Sequence, residues 1–156
     1  MFRYLKFLIV PIFFLTSNCG FKVVKQSDLI NFNVVEIRSI GEKRINYNLK
    51  NKLSIKQEEA NKNVKLEINT KKNKNVKERN IKNEITKYQI EIIVKVKFEV
   101  LNNNKENVFE VRESIDFNVA SQYSQTLNNE KKAINLIIDN LAEEIIEELI
   151  SKLNDY

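Results

Sequence analysis

The chain of 156 residues has no histidine, a single cysteine and only two glycines. Each shortage removes a class of chemistry. Without histidine, the commonest general base and the commonest transition-metal ligand are both missing. One cysteine cannot assemble a zinc cage, an iron–sulfur centre or an internal disulfide. Gly20 and Gly41 are too few to write a phosphate-cradling loop or a dinucleotide fingerprint. Carboxylates are plentiful, but nothing singles out a pair of them. The expectation is a non-enzymatic protein with no catalytic residue, no metal and no cofactor.

The one cysteine sits in Leu15-Thr16-Ser17-Asn18-Cys19, directly after an apolar run. Arg3 and Lys6 precede that run, Phe7 to Leu15 form it with Pro11 inside, and Thr16 to Asn18 are small or polar. These are the three zones of a secretory signal peptide. The run is far shorter than the roughly 20 apolar residues that cross a bilayer, so an uncleaved anchor is the poorer reading. Cleavage just before Cys19 is similar to the lipobox of bacterial lipoproteins, which implies acylation of Cys19. Two or more acyl chains would attach the chain stably to a membrane. The rival is an ordinary signal peptide with an incidental free thiol. Gly20 stands where an aspartate would resemble an inner-membrane retention signal, so the outer membrane is the expected destination. The chain therefore divides into a lipoprotein-type leader over 1–18, a lipidated tether over 19–31 and a single domain over 32–156, a length that suits one modest core.

The formal charge is +5, of which Arg3 and Lys6 in the leader supply two. The rest is too balanced to imply a polyanion partner by itself. Lysine and asparagine are used heavily throughout, a bias that a low-GC genome produces without selection on function. Basic patches are read against that background.

Within the domain, Phe32 to Arg38 is rich in β-formers and is followed by Gly41. Ile45, Leu49 and Leu53 then recur every four residues and predict a helix face. Val64, Leu66 and Ile68 alternate with Lys65, Glu67 and Asn69. The longest alternation runs from Lys87 to Leu101, with Tyr88, Ile90, Ile92, Val94, Val96, Phe98 and Val100 on one side. After a polar turn at 102–107, Phe109, Val111, Ile115, Phe117 and Val119 continue the pattern, so the two runs predict an antiparallel hairpin. From Asn129 the period changes to three and four, with Ile137, Ile138, Leu141, Ala142, Ile145, Leu149 and Leu153 on one stripe. Asn128 or Asn129 is the predicted N-cap, with Glu130 favourably placed for the helix dipole. The predicted fold is α+β: a two-layer sandwich, β-α-β-β-β-α, with two helices packed on one face of a mostly antiparallel four-stranded sheet.

Two features of this fold bear on function. The uncovered sheet face is polar, which suits plain solvent or a wet protein environment such as the lumen of an outer-membrane barrel. Between the second and third strands, Lys71, Lys72, Lys74, Lys77, Arg79 and Lys82 crowd a predicted loop against only Glu78 and Glu84. Such a cluster could hold phosphates through charge-assisted hydrogen bonds. It could equally be compositional lysine on a mobile loop. Aromatic stacking residues are missing from it, which argues against nucleic acid, and anionic lipid head groups fit an exported protein better.

Cys19-Gly20-Phe21, the strand and helix from Val34 to Leu53, Lys87-Tyr88 before the long alternating strand, and Ser121-x-Tyr123 leading into a helix with Leu141-Ala142 and Ile145 together resemble the lipopolysaccharide-assembly lipoprotein LptE family. The resemblance covers nearly the whole mature chain. It implies a lipid-anchored outer-membrane protein, facing the periplasm, that plugs the LptD barrel and assists lipopolysaccharide assembly. It also implies that basic residues near one end of the fold contact lipopolysaccharide, with Arg79 about where one of them would lie. Where some relatives carry a second, just before the last helix, this chain has Leu127-Asn128-Asn129, with Lys131 and Lys132 nearby. The alternative is a generic periplasmic lipoprotein serving as an accessory binding subunit of a lipid transporter.

Overall fold

The computed structural model describes residues 30–58, 60–101 and 105–154. The leader, Cys19 and most of the expected tether lie outside the described residues. The element order is β1 (Phe32–Gly41), α1 (Lys43–Leu53), β2 (Lys62–Arg79), β3 (Ile85–Val100), β4 (Lys105–Asn118) and α2 (Tyr123–Asn154). The strands lie in sequence order in one four-stranded sheet. β1 runs parallel to β2, across the α1 connection that such a pair requires, and the other neighbours are antiparallel. This is the predicted α+β sandwich.

Strict alternation makes β3 the spine of the core. Ile90, Ile92, Val94, Val96 and Phe98 are fully buried, as are Leu49 and Leu53 of α1 and Ile137, Leu141, Ile145 and Leu149 of α2. Both helices cover this one face, and Lys52 of α1 reaches Asp139 of α2 at 2.7 Å. The apolar stripe, with little help from helix propensity, holds each helix in place.

α1 ends with its apolar stripe at Leu53, and the next segment turns onto the outer edge of β1, where Val34 N–H donates to the Ile55 carbonyl at 3.0 Å; other element bounds differ from those predicted. The Asn33 side chain accepts Gln57 N–H at 2.6 Å and the Asn31 side chain accepts Asn61 N–H at 3.1 Å. That segment covers an edge which would otherwise invite pairing. Ile30 and Asn31, within the expected tether, already touch the domain. α2 begins at Tyr123, well before the predicted N-cap. Thr126 Oγ1 accepts the Ala120 N–H at 2.9 Å, and Asn129 donates instead to the Asn118 carbonyl at 3.0 Å, so it ties the helix to β4. Leu127-Asn128-Asn129 is therefore inside the helix.

The largest difference is in β2. The lysine-rich segment predicted as a loop is the second half of this strand, paired residue by residue with β3 from Lys71 opposite Ile93 to Arg79 opposite Ile85. β1 stops opposite Thr70. Gly41 takes φ +102°, and a side chain there would collide with the Thr70 carbonyl oxygen. Around this point Asn46 of α1 donates to the Ile40 carbonyl at 3.1 Å and accepts the Thr70 hydroxyl at 2.8 Å, while Thr70 Oγ1 accepts Glu42 N–H at 3.0 Å. Asn46 and Thr70 are only 5 % and 3 % exposed, so these bonds satisfy groups that burial would otherwise penalise.

Gly41→Ala adds both backbone strain and a backbone clash. It is expected to destabilise the domain by at least about 2 kcal/mol in urea unfolding.

Candidate functional site

The second half of β2 and the first half of β3 form a pole of the molecule distant from the start of β2. Beyond Gly41, β2 has no neighbour on its outer side among the described residues, so Lys71 to Arg79 form a bare sheet edge about 30 Å long at the usual rise per residue. The six cations expected to act together are not one patch. Lys71 lies on the open sheet face, in the row with Ile93 and Arg112. Lys72 and Lys74 alternate onto the helix side. A bulge displaces the register between Val76 and Glu78, and Lys77, Arg79 and Lys82 gather at the tip.

Lys74 is held in place. Its ammonium donates to Glu130 of α2 at 2.6 Å and sits 4.5 Å over the Tyr88 ring and 5.2 Å over Phe117. Those two rings stack with centroids 5.7 Å apart and planes 25° from parallel. Lys74 thus joins the bare edge to α2 through an ion pair and a cation–π contact. Lys71, Lys72, Lys77 and Lys82 meet no carboxylate among the described residues. Lys87 donates to Glu78 at 2.7 Å, and this hydrogen bond raises the Lys87 pKa above its usual value.

The tip itself is a folded turn without glycine. Asn80 N–H donates to the Glu84 carbonyl and Asn83 N–H to the Asn80 carbonyl, both at 2.9 Å. The Asn80 side-chain oxygen accepts Lys82 N–H and Glu84 N–H, also at 2.9 Å. Asn83 takes φ +63°, a left-handed conformation that asparagine tolerates better than most residues. Arg79 donates to the Asn83 carbonyl at 2.9 Å, which leaves its other donors outward. Ile81, at the apex, is fully exposed. The start of α2 belongs to the same end, because Val119 N–H donates to the Thr86 carbonyl at 2.9 Å just before that helix. Exposed Tyr123 and Leu127 and the cations Lys131 and Lys132 lie on its first turns.

The open sheet face is polar, and several of its charges are paired with one another. Arg38 bonds Glu36 at 2.8 Å, Arg112 bonds Glu110 at 2.7 Å and Lys97 pairs with Glu106 at 2.9 Å. The hydrogen bond from Arg38 lowers the Glu36 pKa, and the partner carboxylates raise those of Arg38, Lys97 and Arg112.

No family model matches the sequence, and no curated protein does. Solved structures do match. A lipoprotein from Caulobacter crescentus superposes with a TM-score of 0.57 at 15% identity, over 84% of this chain and 96% of that one. Rare lipoprotein B from Shewanella oneidensis gives 0.55 at 12% identity, over 77% and 97%. Lipoprotein B from Nitrosomonas europaea gives 0.60 at 13% identity, over 86% and 93%. The chain has the fold of these three proteins. Each of the three is spanned almost end to end.

Sequence spacing found the cations but missed Ile81, Tyr123 and Leu127, which break no periodicity. The asparagines at 80 and 83 were the available signal for an ordered turn.

The pairing of Lys74 predicts unequal lysines. Lys74→Ala is expected to lower stability by about 0.5–2 kcal/mol. Lys77→Ala should stay within about 0.5 kcal/mol, as measured by urea unfolding of each variant.

Proposed function

We propose that this chain is a non-enzymatic outer-membrane lipoprotein, anchored through Cys19 and facing the periplasm, that fills an LptD-like barrel and presents its hairpin tip to lipopolysaccharide. The observation that carries the reading is the gathering of Lys77, Arg79 and Lys82 on an ordered turn, with no carboxylate set against them among the described residues. Cations on a preorganised turn can hold phosphates by charge-assisted hydrogen bonds at low ordering cost.

The fold shared with proteins described as lipoproteins supports a lipid-anchored envelope protein. The Leu15 to Cys19 segment supports acylation, and acylation sets the compartment. The polar sheet face, several of whose charges are paired with one another, suits contact with the hydrated lumen of a barrel, where it would exchange water for other polar groups. Nucleic acid is not a partner on this reading.

A barrel protein whose mobility on a gel changes with heating should co-purify stoichiometrically through a C-terminal tag in mild detergent. Its absence would leave an accessory subunit of a lipid transporter as the better description. For the lipid, Lys71, Lys77, Arg79 and Lys82 changed together to Ala should weaken lipopolysaccharide binding by roughly tenfold or more. Unchanged binding would assign the cluster to composition alone.

A further inference from the structure

Three acids of the distal pole have partners within the domain, and Asp116, across from Gln89, faces Lys87 on the open sheet side. Glu78 takes Lys87 at 2.7 Å, Glu130 takes Lys74 at 2.6 Å and Glu84 takes the Asn80 amide at 2.7 Å. The tip is left cationic, with Lys77, Arg79 and Lys82 around its apex. An isolated exposed isoleucine is ordinary on a protein surface. Ile81 differs in its placement. It stands at the end of the longest hairpin, on a turn closed by two backbone hydrogen bonds and two more to the Asn80 side chain, and is fully exposed there. Behind it Val76 is exposed on the same hairpin. A soluble polyanion would engage the cations and leave Ile81 in water. Only an amphiphile uses both.

We infer that the tip is a lipid-reading wedge. Ile81 enters the acyl layer of an anionic lipid while Lys77, Arg79 and Lys82 hold the phosphates of its head group. This rests on the lipid-binding reading above and adds to it the apolar contact that separates a lipid from free phosphate. The division of labour is that of interfacial segments, in which apolar side chains enter the acyl boundary and cations stay at head-group level.

The full chain contains no tryptophan, so Ile81→Trp introduces a single reporter. On vesicles of phosphatidylcholine with one third phosphatidylglycerol, its emission should move to the blue and be quenched by bromine placed in the acyl chains. On pure phosphatidylcholine, or with tripolyphosphate, it should stay unshifted. An acyl anchor at Cys19 is the same on both vesicles and cannot produce the difference. Emission that stays unshifted and unquenched on the anionic vesicles overturns the wedge. In parallel, Ile81→Asn should weaken lipopolysaccharide binding by roughly tenfold and leave tripolyphosphate binding unchanged. The triple change of Lys77, Arg79 and Lys82 to Ala should weaken both. If Ile81→Asn has no effect while the triple change does, the wedge falls and the phosphate contact stands. If neither variant binds lipopolysaccharide less well, both readings fall.

Discussion

The close approach of Gly41 to the Thr70 carbonyl decides where β1 ends, and the shape of the rest of the molecule follows from it. Only glycine lets the backbone pass there at φ +102°. The buried amide of Asn46 and the hydroxyl of Thr70 then satisfy the groups freed by the turn and lock the start of α1 to the sheet. On one side of this point the sheet has four strands beneath two helices. On the other side it has three, and among the described residues β2 continues with β3 alone beside it.

A bare edge is a hazard, since its unpaired backbone groups can recruit another strand. The protein handles the margins on the β1 and β2 side of the sheet differently. The outer edge of β1 is covered by the chain leaving α1, through the Val34 to Ile55 and Asn33 to Gln57 bonds. The distal edge of β2 is left open and carries Lys71, Lys72, Lys74 and Lys77. Lysines on an edge repel a second such edge and discourage pairing. They therefore have a structural use before any ligand is considered, and the ligand argument belongs to the tip, where that edge ends at Arg79.

The architecture could be read from periodicity because the core face is nearly pure. Seven alternating positions from Tyr88 to Val100 and the stripe from Ile137 to Leu153 leave little freedom in where β3 and α2 put their apolar sides. The second half of β2 could not be read that way. Lys72 and Lys74 occupy the face that Val64, Leu66 and Ile68 occupy earlier, so the alternation vanishes although the strand continues. Pairing with β3 makes it a strand, and propensity has little part in it. The start of α2 was hidden for a similar reason. Tyr123, Leu127 and Asn128 face outward, so the helical period is silent until Ala133. Asn129 looked like a cap because asparagine favours caps, but its side chain bonds to β4. The cations of the site were legible as residues, and their grouping was not, because grouping depends on which face each one takes along a strand whose extent was misjudged.

The two polar surfaces differ in how much charge they leave unpaired, and that difference orders their roles. On the open sheet face Arg38, Lys97 and Arg112 each have a carboxylate at hydrogen-bond distance. Such a face has little net field to attract a charged ligand, yet its many polar groups keep it compatible with water and with other polar walls. Toward the tip Glu78, Glu130 and Glu84 are bonded to Lys87, Lys74 and Asn80, while Ile81 is fully exposed beside Lys77, Arg79 and Lys82. The turn is held by its own backbone and the Asn80 side chain, so these groups need not be ordered when a ligand arrives. A neutral polar face and a cationic apolar point, about 25 Å apart along one hairpin, make different demands on what they touch. On the proposed reading the face would meet the barrel wall and the tip would meet the lipid, and neither contact would compete with the other.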